Sequence, residues 1–322
     1  MANRDRISRR EFLETSGLAL GAAALPASTA RAADAAAPGD LARRTLGRTG
    51  VSVPMLAMGC GSRFLMYPAD AASAALEKAI GLGITYLDSA IDYGNGESET
   101  RVGRVLTTRR RDVFLATKVP VRARTRDAAL QEVEASLKRL QTDHVDLLHV
   151  HSLGGEDDLS RIEAADGVLK ALYELRDQRV ARFIGMTSHT DGAVMAAAID
   201  RNDLDCVQMA MNPARANRFE ELGLPAANRK NLGVILMKVT AQERLLGAGG
   251  EGVPALLRYA WSLPVSTVVC GMPRLGHLEA NAAAARAFTP MPPDDMERLR
   301  RQLRGRQVAR ERFFESHEDR IA

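Results

Sequence analysis

Four side chains at or just after short apolar runs would together make a proton-transfer centre. Asp88, Tyr93, Lys118 and His151 supply a carboxylate, a phenol, an ammonium and an imidazole. A free phenol has a pKa of about 10 and gives up its proton reluctantly at neutral pH. An ammonium beside it stabilises the phenolate, and a carboxylate behind holds the ammonium in place. Asp88, Lys118 and Tyr93 are therefore expected to form a tuned proton donor. A neutral His151 is expected to donate a hydrogen bond to a substrate oxygen and to stabilise the charge that develops there. Each residue alone has a plainer reading, as half of an ion pair, a packed loop aromatic or a structural histidine. Their occurrence in the order Asp, Tyr, Lys, His is what points to chemistry.

The elements that must position them can be read from the hydrophobic rhythm. Apolar runs at 54–58, 85–88, 113–118, 145–150, 183–186, 206–209, 234–238 and 267–270 read as strands, and their continuous apolar character suits parallel strands covered on both faces. Amphipathic stretches between them, such as 71–81, 126–140, 162–178 and 192–201, read as helices, with a last one at 275–287. This alternation is that of an α/β fold, the (β/α)8 or TIM barrel. Residues 44–47 and 51–53 flank a glycine-bearing turn and predict a β-hairpin closing the barrel base. In such a barrel the chemistry sits at the carboxyl ends of the strands. Asp88, Lys118 and His151 fall there, Tyr93 lies in the next loop, Thr187, Ser188 and His189 follow the fifth strand, and Gln208 lies near the end of the sixth. The competing fold is an open doubly wound sheet, but no strand leads into G-x-G-x-x-G, and Gly94-Asn95-Gly96 lacks the third glycine.

Composition sets the outer limits. The chain has 322 residues, 46% hydrophobic, 26% charged and only 4% aromatic, so its core is aliphatic and base-stacking on aromatic platforms is not expected. The first residues carry Arg4, Arg6, Arg9 and Arg10, then an apolar stretch at 17–25, then Ala30-Arg31-Ala32. That is the charged, apolar, small-residue order of an export signal. Ser8-Arg9-Arg10-Glu11-Phe12-Leu13 resembles the twin-arginine motif, with Glu14 where lysine is common. The expected organisation is a signal peptide at 1–32, a leader at 33–40 and one barrel domain at 41–322. The implied location is the bacterial periplasm, reached through the twin-arginine export machinery. The apolar stretch is too short to span a bilayer, so no stable membrane insertion of the mature chain is expected. Residues 1–32 hold five arginines against three acidic residues, so their removal lowers the net charge of +4 by two. The basic run at 298–312 reads as a solvated helix face, and no nucleic-acid partner is expected. Cys60, Cys206 and Cys270 fit no zinc spacing and read as buried thiols. No three-ligand arrangement stands out, so no metal is expected, which weakens a metal-dependent hydrolase or lyase built on Asp88 and His151.

Several segments resemble one family. Tyr86-Leu87-Asp88-Ser89-Ala90-Ile91-Asp92-Tyr93-Gly94, continuing to Gly96-Glu97-Ser98-Glu99, is similar to the aldo-keto reductase signature around its catalytic Asp and Tyr. Ala116-Thr117-Lys118-Val119 looks like the segment with the catalytic Lys. Asp146-Leu147-Leu148-His149-Val150-His151 resembles the strand ending in the catalytic His, with His151 in that place. His149 reads as a barrel-wall residue directed away from His151. Arg44-Thr45-Leu46-Gly47-Arg48-Thr49-Gly50 resembles the opening hairpin. The resemblance covers nearly all of the chain after the signal.

It implies an oxidoreductase that transfers hydride reversibly between a nicotinamide nucleotide and an aldehyde or ketone, with Tyr93 as general acid and base. The nucleotide would lie extended across the barrel mouth. Thr187 and Ser188 stand where the family has a Ser-Asn pair on the carboxamide, and Gln208 matches its carboxamide-binding Gln. Met211 takes the place of an aromatic that stacks on nicotinamide. Gly59 and Lys238, ending the first and seventh strands, are also assigned to the cofactor. Val268-Val269-Cys270-Gly271-Met272-Pro273-Arg274, with Leu278 and Asn281, resembles the family's last strand and loop. Gly271 and His277 replace the Lys and Arg that many members set against a 2′-phosphate. Arg274 offers that charge from a neighbouring position, which favours NADP(H) over NAD(H). Arg63, Phe64, Met66, Tyr67 and Phe313-Phe314 are candidate pocket linings. The alternative is an exported cofactor-binding sensor or accessory subunit with a vestigial site. Export implies that the nucleotide leaves the cytoplasm already bound and is released slowly.

Overall fold

Short β-branched and aliphatic runs between amphipathic helices can bury both faces in an open doubly wound sheet or in a closed barrel, and the computed structural model shows closure. It describes residues 40–214, 216–246 and 252–304. The expected signal, the leader up to residue 39 and Phe313-Phe314 lie outside the described residues. A hairpin comes first: β1 (Arg43–Thr45) and β2 (Ser52–Pro54) pair antiparallel, with Arg44 opposite Val53. Eight strands follow: β3 (Leu56–Gly59), β4 (Tyr86–Asp88), β5 (Phe114–Val119), β6 (Val145–Val150), β7 (Ala181–Ser188), β8 (Cys206–Ala210), β9 (Gly233–Met237) and β10 (Thr267–Cys270). They form one closed parallel barrel in chain order, with β10 returning to pair with β3. Every expected strand is present within two residues of its expected bounds.

The hairpin closes the base. Leu46 is fully buried, and the main-chain NH of Arg48 donates to the carbonyl of Asn231, just before β9. Gly47 has φ +50°, and a Cβ there would lie 2.2 Å from the carbonyl carbon of Leu232. Only glycine fits this approach of turn to strand. The described helices pack outside the barrel, among them α1 (Ala72–Gly81), α2 (Glu97–Arg109), α3 (Arg126–Leu140), α4 (Glu156–Glu163), α5 (Val168–Asp177) and α6 (Gly192–Arg201). No described helix is long and apolar enough to cross a membrane.

Two expectations need correction. The helix expected over 162–178 is two helices, α4 and α5, broken between Glu163 and Val168. There the main chain turns outward to hydrogen-bond the segment after β5: Arg126 donates to Asp166, and Val168 donates to Arg124. A continuous helix would spend those groups on itself. His149 does not point away from the site. Residues two apart in a strand share a face, and His149 sits opposite Lys118 in register, inside the barrel and wholly buried.

Gly185 on β7 makes room for it. A Cβ at Gly185 would stand 2.4 Å from the carbonyl oxygen of Cys206 and 2.8 Å from Nδ1 of His149. Neither a barrel strand nor a packed imidazole can yield that much. Gly185→Ala should therefore cost about 1–3 kcal/mol, a fall in Tm of roughly 5 °C for a domain of this size. Gly155→Ala, where nothing lies within 4 Å, should leave Tm unchanged. Equal melting of the two variants would refute this account of the barrel wall.

Candidate active site

Lys118 ends up buried because its strand delivers it to the inside of the barrel mouth, where water is excluded. Its ammonium needs acceptors there, and it has three. Nζ donates to Asp88 Oδ2 at 2.8 Å, to the carbonyl of Ser89 at 2.8 Å and to the Tyr93 hydroxyl at 3.2 Å. Asp88 and Lys118 are 1% and 2% exposed. Nε2 of Gln208 donates to the same Asp88 oxygen at 3.4 Å. The structure thus brings Asp88, Tyr93, Lys118 and Gln208 together, from β4, the loop after it, β5 and β8.

The Tyr93 loop is tied down by its own sequence. Ser98 Oγ donates to the carbonyl of Cys60 at 2.6 Å and lies 2.8 Å from Ser89 Oγ. Gly94 and Gly96 have φ of +65° and +91°, conformations that glycine adopts without strain. Glu99, wholly buried at the start of α2, accepts from Thr117 Oγ1 at 2.6 Å and from Arg139 Nε at 2.7 Å. Ser98 and Glu99 are therefore braces for the loop, a part the motif Gly-Glu-Ser-Glu did not disclose.

His151 is held from the other side. Its ring stands edge-on to Tyr93 with centroids 5.9 Å apart. Nδ1 lies 2.9 Å from Asp92 Oδ2. Arg124 donates to the carbonyls of His151 and Ser152 at 2.8 and 3.1 Å, and Asp158 fixes Arg124 with a two-pronged contact. Asp92, Arg124 and Asp158 were not singled out in the sequence. A signal was available for Asp92, because a buried imidazole calls for a partner on its second nitrogen.

Thr187 and Ser188 serve this loop. Thr187 Oγ1 accepts from the NH of Ser152 at 2.8 Å, and Ser188 Oγ donates to the carbonyl of Leu153 at 2.8 Å. Both side chains are fully buried. His189 sits beside them, Nδ1 3.4 Å from Ser152 Oγ.

A cavity of about 560 Å³ opens over Asp88, Tyr93 and Gln208 and runs past Gly59 and Lys238 to Arg274, His277 and Asn281. Thr187, Ser188 and Met211 are not among its lining residues; Met237 and Lys238 line that wall instead. Arg63 and Met66 line it too, whereas Phe64 and Tyr67 are buried in packing. Across the rim, Arg63 pairs with Glu243 at 3.2 Å. Cys270 also lines the cavity, yet burial pushes its thiol up to about 12. Burial pushes the thiols of Cys60 and Cys206 up as well, so all three stay protonated and all are free. Among the described residues no group of three or more His, Cys, Asp or Glu side chains could hold a metal ion.

His149 lies directly below. Burial first, then the Lys118 ammonium and His151, push its imidazole well below the usual range, so it is neutral in the folded chain. Unfolded, it binds a proton as pH drops below about 6.5. The stability tied to its neutrality is therefore complete above about pH 6.5 and is lost as pH falls, by up to about 1.4 kcal/mol per pH unit. His149→Leu should lose less stability than the wild type in urea titrations between about pH 7 and about pH 5. Identical pH slopes would contradict this placement of the ring.

The sequence model of the aldo/keto reductase family matches residues 57–255. Over 207 residues the chain is 30% identical to the uncharacterized oxidoreductase YqkF of Bacillus subtilis, covering 60% of this chain and 63% of that protein. Over 196 residues it is 31% identical to the aldo-keto reductase yakc (NADP(+)) of Schizosaccharomyces pombe, covering 56% of each. The chain thus spans less than two thirds of the length of these relatives. Its fold is similar to the holo form of aldo-keto reductase AKR11C1 from Bacillus halodurans, with a TM-score of 0.69 at 24% identity over 81% of this chain and 96% of that one. With a closed eight-stranded barrel and this match over residues 57–255, the chain belongs to the aldo/keto reductase family.

Proposed function

We propose that the chain is a nicotinamide-dependent carbonyl reductase acting on an aldehyde or ketone and, in reverse, on the alcohol. The observation that carries this reading is the buried Lys118 ammonium, 2.8 Å from Asp88 and 3.2 Å from the Tyr93 hydroxyl, two residues that line the cavity. A bound reduced nicotinamide would supply hydride to the carbonyl carbon. Tyr93 gives its proton to the carbonyl oxygen, and Lys118 stabilises the phenolate left behind. Asp88 holds Lys118 in place. His151, edge-on to Tyr93, orients the same oxygen.

The donor set suits a dinucleotide. A cavity of about 560 Å³ is long enough to run from Tyr93 to Arg274 and Asn281, within the range of ordinary ligand sites. Gln208 has a buried Oε1 without a hydrogen-bond partner, an acceptor suited to a carboxamide NH2. Gly59, where a Cβ would stand 3.1 Å from Val269, lets the wall lie close. Lys238 and Arg274 offer cations to phosphates. The name of the fission-yeast relative carries NADP(+), which agrees with favouring NADP(H) over NAD(H). Thr187 and Ser188 act mainly as struts for the His151 loop in this reading. No observation favours the sensor alternative.

Two experiments test it. With aldehydes such as benzaldehyde and methylglyoxal, wild type should oxidise NADPH faster than NADH. Tyr93→Phe should lower turnover by about 10²-fold or more while the NADPH Kd measured by isothermal titration calorimetry stays unchanged. Equal turnover by the two proteins would defeat the mechanism. The arginine pair and small-residue site at 1–32 support export to the periplasm with slow nucleotide release. Mass spectrometry of the protein from its native compartment should find an N-terminus at Ala33 and a retained NADP(H). A chain starting at Met1 without nucleotide would defeat this part.

A further inference from the structure

We propose that Gly61 sets the substrate class: the space its missing side chain leaves beside Tyr93 takes an aryl substituent on the carbonyl carbon. The inference rests on the carbonyl-reductase reading above and names the kind of carbonyl that the site selects.

Gly59, Gly61 and Gly271 all line the cavity, and the fold demands two of them. A Cβ at Gly59 would stand 3.1 Å from Val269 Cγ1 and 3.2 Å from the carbonyl oxygen of Cys270, and one at Gly271 would stand 2.8 Å from the Cβ of Arg63. Gly61 is different. Its φ lies outside the left-handed region, so an L side chain could sit there without strain. Among the described residues, the nearest atoms to a Cβ at Gly61 would be Tyr93 Cε2, Cζ and Cδ2, at 3.5, 3.5 and 3.6 Å. That is ordinary van der Waals contact. The carbonyl of Gly61 accepts from the NH groups of Phe64 and Leu65 at 2.9 and 3.1 Å, a task that any residue's carbonyl performs. Neither backbone conformation nor packing calls for glycine here. What remains is the other use of glycine, to let a ligand come close.

Tyr93 fixes where that approach takes place. Its Cζ carries the hydroxyl that gives a proton to the carbonyl oxygen, and a side chain at 61 would begin 3.5 Å from that carbon. With the carbonyl oxygen hydrogen-bonded at about 2.7 Å from the phenol oxygen, the groups on the carbonyl carbon reach into the same volume. The walls decide what suits it. One is the ring of Tyr93. Another is Met66, on the same turn as Gly61, which lines the cavity and is 59% exposed. A thioether adapts its shape and makes favourable contacts with aromatic rings, and ring against ring gains beyond the area buried. Arg63 does not turn the site towards acidic carbonyls, because its guanidinium is paired with Glu243 at 3.2 Å and its Nη1 lies 3.5 Å from Met66 Sδ.

Steady-state kinetics with NADPH, comparing benzaldehyde with propanal, test the assignment in wild type, Gly61→Ala and Gly61→Leu. The ratio of kcat/KM for benzaldehyde over propanal should fall about tenfold or more in Gly61→Leu. It should fall by a smaller step in Gly61→Ala, mostly through the KM of benzaldehyde. Calorimetry should give one Kd for NADPH in all three proteins, and Gly61→Ala should melt no lower than wild type. A further readout needs no turnover. Benzamide, an unreactive aryl carbonyl, added to the NADP+-bound protein should shift the 13C-methyl NMR signal of Met66 in wild type and not in Gly61→Leu, with Met66 assigned by its loss in Met66→Leu. An unchanged kinetic ratio, or a Met66 signal that behaves alike in wild type and Gly61→Leu, would overturn the proposal. So would weaker NADPH binding by the variants or a lower Tm for Gly61→Ala, which would give the glycine to the nucleotide or to the fold. If no carbonyl is reduced while benzamide still shifts Met66 in wild type alone, the reductase reading fails and the aryl pocket stands.

Discussion

An ammonium carried inside a barrel mouth has to find acceptors, because desolvating an unpaired charge costs several kcal/mol. Much of the structure around Lys118 answers that demand. β5 delivers the side chain, β4 ends on Asp88 to receive it, and the chain turns at Ser89 so that a main-chain carbonyl joins in. The third donor position is left for a phenol at 3.2 Å. The loop of Tyr93 cannot wander without opening this coordination, and the serine pair Ser89–Ser98 and the buried Glu99 keep it in place. A structural need and a chemical one are met by the same contact. Removing one partner of such a pair costs about 3–5 kcal/mol, so variants of Asp88 and Lys118 test folding as well as chemistry.

His151 depends on a different economy of bonds. It follows the last residue of β6, with Ser152 at φ +50°, and strand pairing reaches only its NH, which donates to the carbonyl of Val119 at 3.0 Å. Its carbonyl is held by Arg124, its loop by Thr187 and Ser188, and its ring by Asp92. Each polar group spent on this loop is withdrawn from the cavity. That explains why Thr187 and Ser188, at the very end of β7, lie behind the wall and why Gln208, Met237 and Lys238 line it.

What could be read in the sequence was whatever depends on neighbours in the chain. An apolar run stopped by Asp88, Lys118 or His151 marks a strand end by itself, and a glycine turn between 44–47 and 51–53 marks a hairpin. Contacts made by tertiary closure left no such mark. Asp92 and His151 are 59 residues apart in the chain, and Arg124 and Asp158 are 34 apart. The break between α4 and α5 arises because the segment after β5 claims main-chain groups near Gly167, which no periodicity within 162–178 records. The orientation of His149 is legible from strand alternation, because residues two apart share a face, and the expectation that it points away from His151 reverses that rule. The family resemblance assigns Thr187, Ser188 and Met211 to the cofactor, and no pattern local in the chain records that Thr187 and Ser188 also bond the loop after His151.

Gly185, the wall residue without a side chain, decides where the His149 ring can lie. His149 lies below Lys118, within the electrostatic reach of both Lys118 and His151. A cation there would disfavour the Lys118 ammonium by direct repulsion. Neutrality is enforced by burial, and burial is possible because Gly185 leaves the ring a place to lie: any Cβ would stand 2.8 Å from its Nδ1. A larger residue would push the ring towards the mouth, where water would let it take a proton. The missing methyl group on β7 therefore acts on charge as well as on packing. It keeps the His149 ring uncharged, so that it does not oppose the Lys118 ammonium beside the Tyr93 hydroxyl.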